Sequence, residues 1–596
     1  MISLQALNSM PAEEFVATLS GIFERSAWVA ERVAGQRPFP SQLHLHEAMC
    51  AAVENASAGE QLALIRAHPE LAGRAAIRGE LTPESTREQQ GAGLSACSPE
   101  EFARLQASNA AYATKFGFPF VLAVKGHDRA SILASLDTRI GHTLERERGV
   151  ALQQIGRIAG FRLAALIEEP LGARIVSMAE FLARFSDQED ALTCAYLTAA
   201  HRATAALIRD WMLSAGLEVD IDAVGNVIGH WRADGPNAPA GAAARANPPA
   251  TREPARTLLT GSHYDTVVNA GRYDGRLGIL LPIAVVAKLR SEGVTLPYTL
   301  TIIAFAEEEG VRFKSTFLGS SAVAGTFDSS VLNNADGSGI TLREALLAAG
   351  LDPNRIAAAA FDPRTLLGYV EVHIEQGPVL LNENLPLGVV TSIAGSTRSL
   401  VGVTGLAGHS GTVPMNLRHD AAAAAAELIL AIERRCSGTP GLVGTVGQLN
   451  VPGGAMNVIP GRCELSVDIR ADRDEARLAA VTDVIAESER IATRRGVQIQ
   501  WRKVLEVAAV PCAPRLQRAW AQSIQRATGV SAPRHLPSGA GHDAMVVAAI
   551  TDIGMLFVRC GNGGISHHPA ESLDEADAGL AAAAFTELLT HFTPNP

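Results

Sequence analysis

Five short segments of this sequence gather imidazole and carboxylate groups in a way that suits bound metal. Gly261-Ser262-His263-Tyr264-Asp265-Thr266 is followed, eleven residues beyond His263, by Asp274 in Tyr273-Asp274-Gly275. Glu307-Glu308-Glu309-Gly310 sets three carboxylates side by side, which would repel one another strongly unless cations offset them. His373-Ile374-Glu375-Gln376-Gly377 and Gly564-Ile565-Ser566-His567-His568-Pro569 complete the set. A lone histidine near a strand end is usually a hydrogen-bonded structural residue, so the argument for a metal rests on convergence. Imidazole and carboxylate suit zinc and manganese alike.

Convergence needs elements that bring these segments together. From about residue 175 short apolar runs at 258–260, 299–305, 369–372 and 555–558 alternate with helical patterns, and each runs directly into a polar cluster. That alternation predicts an α/β domain, whose ligand crevice lies beyond the carboxyl ends of its strands. Residues 395–507 read as a self-contained βαββαβ unit, with strands near 399–404, 443–449, 463–470 and 497–501 and helices over 416–435 and 474–494. That order predicts a ferredoxin-like insertion. Residues 233–257, rich in Ala, Pro, Gly and Asn, read as a mobile surface insertion without chemistry.

Residues 1–165 read as helices. Thr82-Pro83 and Ser98-Pro99-Glu100-Glu101 are helix starts, the second helix ending before Gly117. Ser85, Glu88 and Gln89 stand at i, i+3 and i+4 and share one face. The expected division is therefore a helical domain over 1–165, a linker over 166–174, an α/β catalytic domain over 175–394 and 508–596, and the inserted domain over 395–507.

Composition agrees with this layout and excludes several functions. At roughly 150 residues per domain, 596 residues make about four folding units. With 47% hydrophobic and 19% charged residues the chain is too apolar for extended disorder. A net charge of −11 supplies no field for a polyanion, so nucleic acid is not an expected partner. The apolar stretch 277–287 contains Pro282 and falls short of the roughly 20 residues that span a bilayer, so no membrane anchor is expected. The first basic residue is Arg25, no secretory signal is evident, and seven scattered cysteines lack CxxC spacing; a reducing, cytoplasmic location is expected.

On the motifs around His263, Asp274, Glu308, His373 and His567, together with Arg312-Phe313, residues 175–596 resemble the amidase branch of the M20 metallopeptidases, the allantoate amidohydrolases and N-carbamoyl-amino-acid hydrolases. The resemblance implies two divalent ions, zinc or manganese: His263 and His373 on one, Glu309 and His567 on the other, Asp274 bridging, Glu308 as general base and Asp265 holding the His263 ring. Spacing alone does not separate His567 from His568; the motif favours His567. The resemblance also implies substrate contacts from Gln376, from His409 in Gly408-His409-Ser410, from Asn457 in Met456-Asn457-Val458 and from Arg470 in Asp468-Ile469-Arg470, with His409 and Asn457 contributed across a homodimer formed by the inserted domain. His542 in Gly541-His542-Asp543 is a further candidate, against a structural role. Two metals suit a ureido or amide carbonyl, because the carbonyl is a poor electrophile and water a poor nucleophile.

His68-Pro69-Glu70-Leu71-Ala72-Gly73, Ser85-Thr86-Arg87-Glu88-Gln89, the segment 109–121 ending Lys115-Phe116-Gly117-Phe118-Pro119-Phe120-Val121, and Arg162 in 155–163 resemble the 2-oxo-4-hydroxy-4-carboxy-5-ureidoimidazoline (OHCU) decarboxylases over nearly all of residues 5–165. That likeness implies His68 and Glu88 as catalytic residues. Ser85, Gln89 and Arg162 would bind the ureidoimidazoline, and the backbone of 118–121, between Phe118 and Val121, would orient it. No cofactor is expected there, since loss of CO₂ beside a conjugated ring can be managed by positioned acid–base groups. Together the likenesses predict a bifunctional ureide enzyme, decarboxylating OHCU to S-allantoin and hydrolysing allantoate to ureidoglycine, ammonia and CO₂. The alternatives are an N-carbamoyl-L-amino-acid hydrolase or β-ureidopropionase in the second half, with the helical part only a binding or assembly module.

Overall fold

The computed structural model describes residues 1–71, 82, 85, 86, 99–124, 129–233 and 256–593. It divides into two compact units, one of Met1–Leu367, Val372–Leu381 and Val558–Pro596, the other of Gly368–Glu371 and Asn382–Phe557. Most of the insertion expected at 233–257, the helix start at Pro83 and the cap at Ser98 lie outside the described residues. No helix among the described residues is long and apolar enough to cross a membrane.

The first unit begins with helices including Gln42–Glu54, Ala58–Ala67, Pro99–Phe116 and Leu144–Leu166. Local chemistry explains their starts: Ser41 and Thr143 cap their helices, and Ser57 with Glu60 forms a reciprocal capping box. Phe15, Leu45, Met49, Ile65, Tyr112, Leu136, Ile155 and Leu163 are buried in a shared apolar core. Helix Pro99–Phe116 stops where expected, because Gly117 takes φ 74°, a conformation that favours glycine. The chain then runs on through buried Phe118, Phe120 and Val121.

A sheet has the strands Glu218–Ile221, Val227–Trp231, Thr299–Phe305 and Thr257–His263 of this unit in that order, followed by Leu366–Ile374, whose two ends belong to the same unit. Thr257–His263 runs parallel to Thr299–Phe305, with His263 opposite Phe305. Every residue of Thr299–Phe305 and of Leu366–Ile374 is buried, which accounts for the unbroken apolar runs in the sequence. Parallel pairing puts the ends of Thr257–His263 and Thr299–Phe305, and the polar segments after them, on one edge.

In the second unit Leu387–Ile393 pairs in parallel with Arg534–Ser538 and antiparallel with Val510–Pro511. A separate antiparallel sheet has the order Leu442–Thr445, Arg462–Ala471, Gly395–Thr404, Gln498–Val507. Helices Ala421–Ser437 and Asp474–Arg495 share its core through Leu428, Ile432, Val484 and Ile491, packed with Val401, Val403, Val467 and Ile469. The first of these helices starts later than the apolar pattern suggests, because Asp420 accepts from the Ala422 and Ala423 N–H groups and fixes the start there. The strand expected over 443–449 is broken, resuming at Leu449–Asn450, and the last strand continues past Trp501 to Val507 through an irregularity at Lys503/Leu505.

Candidate metal centre and helical polar cluster

His263 ends its strand, His373 lies one residue from the end of Leu366–Ile374, and Asp274 sits in the turn before helix Leu277–Ser291. All three are buried. Asp274 faces imidazoles on both sides: Oδ1 is 3.3 Å from His373 Nε2 and 3.8 Å from His263 Nε2, while Oδ2 is 2.9 Å from His567 Nε2. His567 Nε2 is in turn 3.7 Å from Glu309 Oε1. His263, Asp274 and His373 form one group with ligand atoms within 4.8 Å of each other; Asp274, Glu309 and His567 form another, sharing the aspartate.

Neighbouring groups orient these side chains. His373 Nδ1 lies 2.8 Å from the Ile374 carbonyl, which leaves Nε2 toward Asp274. Asp265 Oδ1 is 3.4 Å from His263 Nδ1 and accepts the Glu308 N–H at 3.1 Å, while Oδ2 accepts the Glu309 N–H at 3.1 Å. One buried carboxylate thereby holds both an imidazole and the Glu308–Glu309 turn. Glu307 is fully buried, and burial, followed by the charge of Asp265, holds its carboxyl well above the usual range. That shift disfavours the ionised form of Glu307 and so eases the repulsion within the triple-glutamate segment.

Burial alone would lower the His263 pKa, but the hydrogen bond and charge of Asp265, with Glu308 and Asp274, hold it well above the ordinary histidine value. His567 is pushed up to about 9, first by its bond to Asp274. Glu309 is pushed up to about 7, first by burial. Burial would raise Asp274 too, yet the bonds from His373 and His567 outweigh it and draw the carboxyl well below its usual range. These shifts mark a carboxylate-rich cluster that favours positive charge, which bound divalent ions would supply.

His568 turns elsewhere, its Nδ1 accepting the Ala570 N–H at 3.1 Å. Gln376, at φ 55°, donates from Nε2 to Asp274 Oδ1 at 3.0 Å and to Ser566 Oγ at 3.3 Å. A contributor that the sequence motifs do not single out is Glu571, whose carboxylate accepts from the Tyr273 and Asp274 N–H groups and from Ser566. Its only sequence signal is an acid four residues after His567.

In the helical region His68, Ser85 and Arg162 are buried, as are Phe118 and Val121; Glu88 and Gln89 lie outside the described residues. Arg162 Nη2 donates to Ser85 Oγ at 3.2 Å, and its Nη1 is 2.9 Å from Glu24 Oε2, which also accepts from Ser85 Oγ at 3.1 Å. Glu24 is a second residue missed from sequence, where it is one acid in the stretch 20–27 with no periodic partner. Burial pushes His68 down to about 4, ahead of the opposing charge of Glu24, and its Nε2 has no hydrogen-bond partner among the described residues. The Val121 carbonyl accepts from Arg139 at 2.7 Å, and Arg139 donates from Nε to buried Glu147 at 2.8 Å.

In the second unit His409 and Asn457 are exposed and come together, because Gly408–His409 pairs with Val458–Ile459 and Ser410 N–H donates to the Asn457 carbonyl at 3.0 Å. Arg470 donates from Nε and Nη2 to Asp468 Oδ2 at 3.1 and 2.9 Å and from Nη1 to the Gly539 carbonyl at 2.7 Å. His542 is buried, its Nε2 2.7 Å from Ser538 Oγ.

Comparison with known proteins matches the two regions separately. A profile described as OHCU decarboxylase matches residues 8–164, and one described as peptidase family M20/M25/M40 matches residues 259–591. The chain is 39% identical over 441 residues to "Allantoate deiminase 1" of Glycine max, covering 69% of this chain and 88% of that protein. It is 41% identical over 394 residues to "N-carbamoyl-L-amino acid amidohydrolase" of Geobacillus stearothermophilus, covering 66% and 90%. A crystal structure of an amidase of the hydantoinase/carbamoylase family from Burkholderia multivorans superposes with a TM-score of 0.63 at 28% identity, over 70% of this chain and 97% of that one.

Proposed function

This chain belongs to peptidase family M20/M25/M40 and carries an OHCU decarboxylase domain ahead of it, and from that premise we propose that it performs two separate steps on ureides: decarboxylation of OHCU to S-allantoin, and metal-dependent hydrolysis of allantoate to ureidoglycine, ammonia and CO₂. The observation that carries this reading is the pairing of the two domains in one chain. Allantoate is ring-opened allantoin, so the product of one half is chemically close to the substrate of the other. Opening of the allantoin ring lies between the two steps.

The donor set fits two divalent ions, since Asp274 offers one oxygen to each imidazole-bearing side. His263 and His373 would hold one ion and Glu309 and His567 the other, with Asp274 shared. When bound, such ions acidify water and polarise a carbonyl. Glu308 takes the proton from the attacking water and delivers it to the departing nitrogen, a task for a carboxylate that does not itself bind metal. Asp265 keeps the His263 ring and the Glu308–Glu309 turn in register. Gln376, whose amide donates to Asp274 and Ser566 beside the ions, would contact the substrate from there.

The second unit's antiparallel sheet and two helices follow the βαββαβ order, which supports a ferredoxin-like insertion over 395–507 between 175–394 and 508–596, after a helical domain over 1–165 and a linker over 166–174. Leu406, Met415, Leu417 and Met456 are strongly exposed there, close in sequence to His409 and Asn457, which supports a homodimer interface that brings those two residues to a partner's substrate. Arg470, with His542 in support, would hold the substrate carboxylate. In the helical domain His68 and Glu88 would serve as acid–base groups, Ser85, Gln89 and Arg162 as ureidoimidazoline ligands, and the 118–121 backbone as the orienting edge. The free buried thiols suit a cytoplasmic location.

The Geobacillus relative supports a second reading, hydrolysis of N-carbamoyl-L-amino acids. A substrate panel on metal-reconstituted protein separates them. Ammonia release from allantoate should exceed amino-acid release from N-carbamoyl substrates in kcat/KM, and the reverse ranking would replace allantoate as the substrate.

A further inference from the structure

Asp274 and His567 come from opposite ends of the first unit's α/β region, and a shared carboxylate works only if it is held squarely between its partners. Glu571 spans this gap. It is 5% exposed, and its Oε1 accepts the Tyr273 N–H at 2.7 Å and the Asp274 N–H at 3.2 Å. Its Oε2 accepts the Ser566 hydroxyl at 2.7 Å, and its own N–H donates to the His568 carbonyl at 3.0 Å. One side chain thus ties the backbone of Asp274 to the residue that precedes His567. His567 has φ 55°, a left-handed conformation that costs a residue with a side chain and persists only where the surroundings impose it. The Ser566 and His568 bonds to Glu571 flank it on both sides.

Gly271 gives independent support. A Cβ there would stand 2.2 Å from Glu571 Cδ, so the carboxylate reaches the Tyr273–Asp274 backbone only because residue 271 has no side chain. A buried acid near Asp274 also adds like-charge repulsion, an odd choice for a simple turn residue. Accepting three donors explains it, since only a carboxylate offers two oxygens to two loops at once.

We propose that Glu571 is a positioning residue that locks the shared ligand Asp274 against His567 and so builds the side of the centre that Glu309 and His567 would complete. This rests on the two-ion reading above. The test compares full-length wild type with Glu571→Ala, Glu571→Gln and Gly271→Ala, by metal content across a buffered zinc series and by the visible spectrum of cobalt-substituted protein. Thermal unfolding is followed in parallel.

Wild type should bind two ions. Glu571→Ala and Gly271→Ala should keep the tighter ion while weakening the other by about 10–100-fold, the usual cost of losing a supporting partner of a ligand. The cobalt bands of the weakened side should change and those of the retained side persist. Glu571→Gln, which keeps an acceptor for the two N–H groups, should fall between. Two ions at wild-type affinity with unchanged bands in both Glu571→Ala and Gly271→Ala would overturn the proposal. So would equal loss of both ions in step with lowered thermal stability, the mark of a merely structural residue. A single ion in wild type would instead overturn the two-ion reading, and this proposal with it.

Discussion

The metal centre and the buried polar cluster around Arg162 handle buried charge in opposite ways. In that cluster the carboxylate of Glu24 has a cation beside it, Arg162 Nη1 at 2.9 Å, and burial pushes His68 down to about 4. In the centre Asp274, Glu309, Asp265 and Glu308 crowd around imidazoles whose affinity for protons is raised, so the group calls for positive charge from outside. Among the described residues the Glu24 carboxylate is met directly by a guanidinium, whereas the group around Asp274 is rich in carboxylate, which suits a bound ion. The two regions should therefore respond differently to the same disturbance.

Removing the shared ligand should widen the contrast most. Asp274→Ala is expected to lose bound metal and to bring allantoate hydrolysis to background while CO₂ release from OHCU stays near wild type; metal analysis beside both assays checks it. Retention of both ions would end the bridging assignment.

Glu308→Gln should be the next largest. The amide keeps the shape and loses the basicity, so both ions should remain while kcat falls by about 10²–10⁴-fold, the usual contribution of a general base. Near-normal turnover with full metal content would move the proton transfer to another group.

Arg470→Lys should sharpen the comparison further from the ions. Lysine keeps the charge but loses the planar fork that now engages Asp468 and the Gly539 carbonyl. Metal and fold should persist, with kcat/KM for allantoate reduced at least about tenfold, equivalent to about 1.4 kcal/mol. Unchanged efficiency would mean that the substrate carboxylate is held elsewhere.

Acidification should part the two activities more gently. His68 is pushed down to about 4, so it stays neutral as pH falls from 7 to 5 and gains a proton only near its lowered pKa. His567 is pushed up to about 9, so an ion must displace a proton there, and metal affinity should fall as pH falls. Decarboxylase kcat/KM should show no limb from His68 near the ordinary histidine value of about 6.5, while hydrolysis at limiting metal declines over the same range. A decarboxylase limb at that pH that His68→Asn removes would show that burial does not govern that histidine.

In both regions the sequence reveals what a local pattern carries and hides what a distant contact decides. Strands buried on both faces leave unbroken apolar runs, and parallel strands bring their trailing loops to one edge, so His263, Asp274, Glu309 and His373 could be grouped from the sequence alone. Regular alternation did the same for Arg462–Ala471. Glu571 and Glu24 could not be found this way. Glu571 accepts from a backbone 297 residues away, and Glu24 meets Ser85 across 61, contacts that leave no period or motif. The inward turn of Glu307 was equally hidden, because three adjacent glutamates look alike until a strand end decides which one enters the core. Helix bounds shifted where a single cap, Asp420, outweighed the apolar pattern.

On this reading one chain carries two chemistries, one dependent on metal and one not. Both activities should be assayed on the same full-length sample before chelation, after chelation and after return of zinc or manganese. Allantoate hydrolysis should vanish with the metal and return with it, while OHCU decarboxylation stays constant throughout; parallel loss of both activities in protein that remains folded, or survival of hydrolysis after complete metal removal, would contradict this division of chemistry.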